Sequence, residues 1–315
     1  MDDILVLGAT GFVGLAVCEK LVERTGGADE RITVTTRHTQ HAMHLMPLPP
    51  VEIIQWHPDD DAELARLVHG RDAVVNLVGI LHGKEADFQR VHAELPERLG
   101  RACAAAGVPR LVHVSAIGAD AQAPSMYLRS KAAGEDALRR TFPAATILRP
   151  SVMFGEGDRF MNRFAELQGL APLLPLPCAD ARFQPVWVDD VAAGVLAALE
   201  RRHSGIVECV GPKVYTLREL VRLAGEWSGH PRPVVGMPDG LARVQAALME
   251  VLPGEPPLSS DNLRSMQVPS VASGQHPTLA ALGVPTHALE TVMPSVLAGR
   301  GRPTRRDALR TQAHR

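Results

Sequence analysis

Apolar residues in the first 115 positions of the chain follow two alternating patterns. Short apolar or β-branched runs, typical of buried strands, alternate with longer stretches whose apolar residues recur at helical spacing. The strand-like runs are residues 4–7, 31–36, 51–56, 72–79 and 111–115. This alternation predicts right-handed crossovers between parallel strands, and therefore an α/β fold with a doubly wound parallel sheet.

The first predicted strand runs directly into a glycine-rich loop with Gly8, Gly11 and Gly14, and a helical pattern follows. A strand that turns sharply into a helix leaves the first N–H groups of the helix unpaired. With the helix dipole, these groups form an anion site. Gly8 allows the tight turn, and Gly11 lets the backbone approach a pyrophosphate. Gly14 lets the helix pack closely on the strand. Three glycines also occur in ordinary turns, but this context favours a Rossmann-type dinucleotide site.

The end of the second predicted strand carries Arg37 and His38. NAD-specific sites usually place an acidic residue here, which binds the ribose 2′-hydroxyl. A guanidinium suits a 2′-phosphate instead, because arginine can bind phosphate through two parallel hydrogen bonds. The sequence therefore predicts NADP(H) as the preferred cofactor and leaves NAD(H) open. A solvated arginine at a strand end is the structural alternative.

In parallel sheets, ligands bind beyond the carboxyl ends of the strands. Gly8, Arg37, Gly79 and Ser115 all follow predicted strands, so we expect them to converge there. His57 is expected near the adenine, unless it is an ordinary surface histidine, and Gly79 lets the nicotinamide-side ribose pass. The expected cofactor contacts in this part of the chain are Gly8, Thr10, Gly11, Phe12, Val13, Gly14, Arg37, His38, His57, Leu77, Val78, Gly79 and Ser115.

Tyr127 and Lys131 are four residues apart in a predicted helix of residues 125–141, so they lie on one helix face. The ammonium group is expected to lower the pKa of the phenol and to donate to a cofactor ribose. The phenol is then a proton donor or acceptor in a carbonyl–alcohol conversion. The same spacing also occurs by chance on ordinary helices.

Composition narrows the class of protein. The chain has 315 residues, 45% of them hydrophobic and 22% charged, and a net charge of −2 that gives no reason to expect nucleic acid as a partner. Its four cysteines are scattered, so we expect no metal site and a reducing compartment. We expect a cytoplasmic protein, because no run spans a bilayer and the start lacks a targeting signal.

Several motifs resemble short-chain dehydrogenase/reductases of the extended or atypical kind. They are the glycine loop at residues 8–14, Val114 with Ser115, Tyr127 with Lys131, and residues 148–151. Residues 127–135, 146–160 and 184–192 resemble, more narrowly, the NAD(P)H-binding accessory subunits of respiratory complex I and their bacterial relatives. The resemblance covers most of the chain up to about residue 230.

The resemblance implies that Lys131 binds the nicotinamide ribose and that Pro150, Ser151 and Val152 run beside the nicotinamide. Extended members usually carry a hydroxyl residue two positions after Ser115, where this chain has Ile117.

Ser115 or Ser125 is the candidate that takes over the catalytic role of that hydroxyl group. The complex I relatives are regarded as holding NADPH for structural stability, so the leading hypothesis is an NADPH-binding protein of that accessory type. A respiratory complex or a membrane surface is its implied partner.

Two other functions are compatible with the motifs. The chain is alternatively an active NADP(H)-dependent reductase or nucleotide-sugar epimerase/dehydratase, with Tyr127 as acid/base, Lys131 tuning it, and an unknown small-molecule substrate. An interaction module without cofactor is the third reading, and it leaves the glycine loop and Arg37 unused.

The rest of the chain predicts organisation rather than chemistry. We expect a nucleotide domain at 1–155, to which residues 184–211 return, a smaller mixed α/β substrate region at 156–299, and a disordered basic tail at 300–315. Pro96 predicts a kink or break in the helical stretch 86–106, and Asp189 and Asp190 are expected as helix caps. The stripe Leu241, Val244, Leu248 and Leu252 is expected to pack on the core rather than dock at a membrane or partner.

Overall fold

The computed structural model of the protein describes residues 3–25, 31–251 and 258–298. The strands in these ranges are β1 (Asp3–Leu7), β2 (Arg31–Thr36), β3 (Val51–Gln55), β4 (Ala73–Asn76), β5 (Leu111–Val114), β6 (Thr146–Pro150), β7 (Met153–Phe154), β8 (Leu174–Leu176), β9 (Arg182–Phe183), β10 (Val186–Trp187), β11 (Gly205–Cys209), β12 (Tyr215–Thr216) and β13 (Val234–Gly236). The α-helices are α1 (Phe12–Thr25), α2 (Asp61–Val68), α3 (Glu85–Phe88), α4 (Leu95–Ala105), α5 (Met126–Thr141), α6 (Met161–Leu170), α7 (Val188–Arg201), α8 (Leu217–Ser228), α9 (Asp239–Val251), α10 (Ser260–Ser265) and α11 (Leu289–Leu297).

The central sheet has the strand order β11-β6-β5-β4-β1-β2-β3, and every neighbouring pair in it is parallel. The prediction of a doubly wound parallel sheet is therefore confirmed. The strand order changes direction between β1 and β4, and a crevice for ligands opens at such a switch point. Two elements of the later chain join this layer, because α7 packs on α1 and β11 pairs with β6.

Helices cover both faces of the sheet. Val17 and Leu21 of α1 pack with Val191 of α7 on one face, and Leu99 of α4 packs with Leu138 of α5 on the other. Aromatic residues are only 4% of the chain, so valine, leucine and alanine supply most of this core. Burying each such valine or leucine contributes about 1.5–3 kcal/mol.

Residues after the sixth strand form further apolar clusters around α6, α8 and α11. Thr216 begins α8 with a capping box to Glu219. The expected cap at Asp190 is wrong. Its carboxylate instead accepts hydrogen bonds from the backbone N–H and Nδ1 of His287, both at 2.7 Å, and so ties a later segment to α7.

Helix α9 turns its small residues inward. Ala242 and Ala246 are buried in a cluster with Leu263 of α10, while the large residues of the predicted stripe, Leu241 and Val244, are 61% and 58% exposed. The expectation that this stripe packs on the core is therefore wrong. Alanine allows α9 to lie close to α10, and the larger side chains then point outward. Leu248 is exposed in the same way.

The predicted break at Pro96 is instead a π-helical turn, Gln89–Glu94, that joins α3 to α4. Proline has no N–H to donate to the carbonyl of His92, one turn earlier, and the wider π turn accommodates this loss. A Cβ on Gly134 of α5 would overlap the carbonyl oxygen of His92, so α5 approaches the turn at this point.

No helix in the described ranges combines the length and the apolar character needed to cross a membrane. The arginine-rich segment from Arg300 onward and Leu252 lie outside the described residues.

Candidate functional site

Two of the three loop glycines are required by packing inside the protein. Gly8 has a φ of +80°, and a Cβ there would lie 2.9 Å from the backbone of Leu77 and Val78. A Cβ on Gly14 would overlap the backbone of Ala9. These two glycines therefore allow the turn and bring α1 close to the sheet, as the spacing predicts.

Gly11 is different, because no described residue packs closely enough against it to require glycine. A Cβ there would meet only the carbonyl oxygen of Gly8, at an ordinary 3.6 Å. The backbone N–H groups of Phe12 and Val13 next to it have no acceptor among the described residues. The loop therefore forms an open cradle with inward N–H donors at the positive end of α1, which fits a diphosphate.

Arg37 lies where β2 ends and is exposed, with no acidic partner among the described residues. Its carbonyl oxygen accepts from Nε2 of Gln55 at 3.2 Å, which fixes the backbone. His38 and His57 are also exposed, and the rings of His38 and His41 lie 5.4 Å apart. This part of the site offers positive charge to an adenosine phosphate.

The loop after β4 runs beside helix α5. The N–H of Leu77 donates to the carbonyl of Leu7 at 2.9 Å, and the N–H of Val78 donates to Oδ1 of Asn76 at 3.1 Å. Gly79 is exposed, and a Cβ on it would lie 3.3 Å from Nζ of Lys131. The structure thus brings the predicted ribose passage and the predicted lysine together.

Tyr127 and Lys131 share one face of α5, as the spacing predicts. Nζ of Lys131 donates to the carbonyl of Val114 at 3.2 Å and lies 6.0 Å from the centroid of the Tyr127 ring. The phenol hydroxyl has no hydrogen-bond partner among the described residues. Its ring contacts Phe88 and His92.

The expectation that the pKa of the phenol is lowered is wrong. Burial instead raises the pKa of Tyr127 to about 12, because the low-dielectric surroundings disfavour the phenolate. Burial also lowers the pKa of Lys131 to about 8, against the opposing charge of Glu135.

Ser115 does not present its hydroxyl to a substrate, which corrects its candidate catalytic role. The side chain is buried, and Oγ donates to Oε1 of Glu135 at 2.5 Å. The same carboxylate accepts two hydrogen bonds from Arg149, at 2.9 and 2.6 Å. Ser125, the other candidate hydroxyl, caps α5 through the N–H of Leu128.

The segment Pro150–Val152 is held by its backbone at the end of the sheet. The carbonyls of Pro150 and Val152 accept from Ile117 and Val186, each at 3.0 Å. Oγ of Ser151 contacts Ser270. These contacts fix the segment, and the contact with nicotinamide expected for its three residues stays a prediction.

Sequence reasoning missed two residues that hold Tyr127 in place. Asp261 of α10 accepts from the N–H groups of Met126 and Tyr127, at 2.7 and 3.0 Å, and so caps α5 from more than 130 residues away. His92 contacts the Tyr127 ring and the loop after β4. No pattern along the chain points to either residue, because both contacts join segments that are distant in the sequence.

Comparison with known proteins assigns the chain to a family. The profile of the NAD dependent epimerase/dehydratase family matches residues 4–210. Subunit 9 of the alpha subcomplex of mitochondrial NADH dehydrogenase (ubiquinone) from Rattus norvegicus is 30% identical over 294 residues, which cover 90% of this chain and 77% of that protein. The ceramide reductase of Caulobacter vibrioides is 28% identical over 250 residues, covering 78% of this chain and 77% of that enzyme.

A solved structure shares the fold. The NADPH-dependent quinone oxidoreductase QOR2 of Escherichia coli, complexed with NADPH, matches with a TM-score of 0.72 at 19% identity, covering 92% of this chain and 98% of that one. The match over residues 4–210, together with the identity to the mitochondrial subunit, confirms the resemblance seen in the motifs. The chain belongs to the NAD dependent epimerase/dehydratase family and is homologous to subunit 9 of the alpha subcomplex of NADH dehydrogenase.

Proposed function

We propose that the protein binds NADP(H) across the carboxyl ends of β1, β2 and β4 and holds it mainly for structure. The loop at residues 8–14 would bind the diphosphate, Arg37 the 2′-phosphate and Lys131 the nicotinamide ribose. The observation that carries this proposal is the open cradle at Gly11, where the chain carries a glycine that its own packing does not need. The guanidinium of Arg37, which has no acidic partner among the described residues, supports the preference for the phosphorylated cofactor.

In this proposal residues 1–155, with the returning segment 184–211, bind the dinucleotide, and residues 156–299 cover its nicotinamide end. A structural role for the cofactor is favoured by two features of that end. The hydroxyl of Ser115 is occupied by Glu135, and burial holds the pKa of Tyr127 at about 12.

The proposed partner is a respiratory complex, with the adjoining membrane surface as the alternative contact. The support is the homology to a subunit of NADH dehydrogenase. Helix α9 exposes Leu241, Val244 and Leu248, an apolar face of the kind that contacts other proteins or lipid. The protein would then lie peripheral to the inner face of the respiratory membrane.

Catalysis of a reduction is the second candidate. It is favoured by the hydroxyl of Tyr127, to which no described residue forms a hydrogen bond. A bound nicotinamide would supply hydride, and the phenol would give its proton to the carbonyl oxygen of a small substrate. The 28% identity to a ceramide reductase adds support. An epimerase or dehydratase would use the same tyrosine and Lys131.

Replacing Arg37 with alanine tests the cofactor preference. We expect the Kd for NADPH to rise about 10- to 100-fold, because charge-assisted hydrogen bonds to the 2′-phosphate are lost, while the Kd for NADH changes by less than about twofold. Arg31→Ala, at the opposite end of the same strand, is the matched control and should leave both values unchanged. If Arg37→Ala weakens the binding of NADPH and of NADH by the same factor, the assignment of Arg37 to the 2′-phosphate is contradicted.

The pH dependence of NADPH binding tests Lys131. The free protein loses the Lys131 proton above about pH 8, and ribose hydroxyls favour the charged donor. Affinity is therefore full below pH 8 and falls above it, by at most about tenfold per pH unit. Titrations between pH 7 and 9.5 should show this decline for NADPH, but not for 2′,5′-ADP, which lacks the nicotinamide ribose.

Lys131→Arg is the control for this titration, since its guanidinium keeps its charge throughout the range. A decline of the same size in Lys131→Arg, or with 2′,5′-ADP, would rule out Lys131 as the titrating group.

Turnover decides between the structural and the catalytic candidates. We expect the wild type to oxidise NADPH no faster than Tyr127→Phe when both are offered a panel of ketones, quinones and nucleotide sugars, because a cofactor held for structure passes no hydride to a substrate. Wild-type turnover that Tyr127→Phe lowers about 100-fold or more, with the NADPH Kd unchanged, would establish the reductase instead.

A further inference from the structure

His92 is buried at the point where two helices meet. It lies in the π-helical turn Gln89–Glu94 and is 1% exposed. Because Pro96 leaves the His92 carbonyl without its helical donor, and Gly134 has no Cβ, α5 approaches the turn closely there. The imidazole therefore faces the helix that carries Tyr127 and Lys131.

Both ring nitrogens of His92 are hydrogen-bonded, and the partners fix which one carries the proton. Oγ of Ser130 donates to the carbonyl of Tyr127 at 2.8 Å, so it accepts from Nδ1–H of His92 at 2.9 Å. Nε2 is then the acceptor for the N–H of Ile80, at 3.0 Å. One neutral imidazole thus joins α5 to the loop after β4.

The charge state of this histidine is fixed by its surroundings. Burial first, and then the positive charge of Lys131, lower the pKa of His92 to about 2. The ring therefore stays neutral at physiological pH, and Nε2 keeps the lone pair that the N–H of Ile80 needs.

His92 also borders the gap that the nicotinamide ribose would enter. A Cβ on Gly79 would lie 3.5 Å from Nε2 of His92 and 3.3 Å from Nζ of Lys131. The His92 ring packs edge-on against Tyr127, with ring centroids 5.5 Å apart. The width of this gap is thus set by the bridge from Ile80 through His92 to Ser130.

We propose that His92 is a positioning residue, which holds the Gly79–Ile80 loop against α5 so that the nicotinamide half of the dinucleotide fits between them. The inference rests on the proposed function. A buried histidine that serves only packing would stabilise the fold as a whole, and its loss would not discriminate between the two halves of the cofactor.

Two isosteric substitutions separate the two hydrogen bonds. In His92→Gln the amide oxygen takes the place of Nε2 and keeps the acceptor for Ile80. In His92→Asn the amide nitrogen takes the place of Nδ1 and keeps only the donor to Ser130. We expect His92→Asn to weaken NADPH binding about three- to tenfold, while its Kd for 2′,5′-ADP stays within about twofold. His92→Gln should bind both ligands nearly as the wild type does.

Amide hydrogen exchange of Ile80 gives a readout that does not depend on binding. Exchange should be slow in the wild type and in His92→Gln, and faster in His92→Asn. If His92→Asn does not fold, His92→Leu replaces it, because leucine is of similar size and offers no acceptor to the N–H of Ile80. The same selective loss of NADPH affinity is expected from that variant.

The possible failures are distinguishable. A wild type that binds neither NADPH nor 2′,5′-ADP overturns the proposed function itself. If the wild type binds both ligands, two results overturn only the role of His92. One is an equal loss of NADPH affinity in His92→Asn and His92→Gln. The other is a loss of 2′,5′-ADP affinity as large as the loss of NADPH affinity.

Discussion

The sharp turn from β1 into α1 is the constraint on which the rest of the site depends. Gly8 and Gly14 let the helix begin almost in contact with the sheet, and the N–H groups of Phe12 and Val13 in its first turn have no acceptor among the described residues. Unpaired donors at the positive end of a helix dipole favour an anion. The parallel order of the sheet then brings the ends of β2, β4 and β5 beside that anion site. The positions of Arg37, Gly79 and Lys131 follow from this arrangement.

The proposed nicotinamide end of the site is held by buried polar groups rather than by backbone geometry alone. Glu135 binds Ser115 and Arg149, and His92 links Ser130 to the loop after β4. Breaking a buried charge pair by removing one partner typically costs about 3–5 kcal/mol, so such networks fix the position of α5 firmly. A rigid slot of this kind suits a cofactor that stabilises the protein. It leaves Tyr127 as the group beside the slot whose hydroxyl is still available for chemistry.

The sequence predicts those features that depend on neighbours along the chain. The alternation of strands and helices and the shared face of Tyr127 and Lys131 each follow from local periodicity. The role of Ser115 was not predictable, because its hydrogen bond to Glu135 depends on the packing of α5 beside the end of β5. Asp261 is hidden for the same reason, since it reaches the start of α5 from a distant helix.

Helix α9 shows another limit of sequence patterns. The stripe containing Leu241 and Val244 marks an apolar face correctly, but periodicity does not say whether the chain itself covers that face. Here the smaller residues Ala242 and Ala246 pack against α10, and the side chains of Leu241 and Val244 are exposed. The pKa of Tyr127 is a similar case, because spacing gives the distance to an ammonium but not the burial that opposes it.

The most direct test of the central claim is the affinity of Gly11→Ala for NADPH, measured by calorimetry beside its melting temperature. The added methyl group meets no atom of the described residues closer than 3.6 Å, so without NADPH the variant should melt like the wild type. It should bind NADPH at least about tenfold more weakly, because the methyl group enters the space of the diphosphate. Wild-type affinity in a correctly folded Gly11→Ala protein would contradict the account.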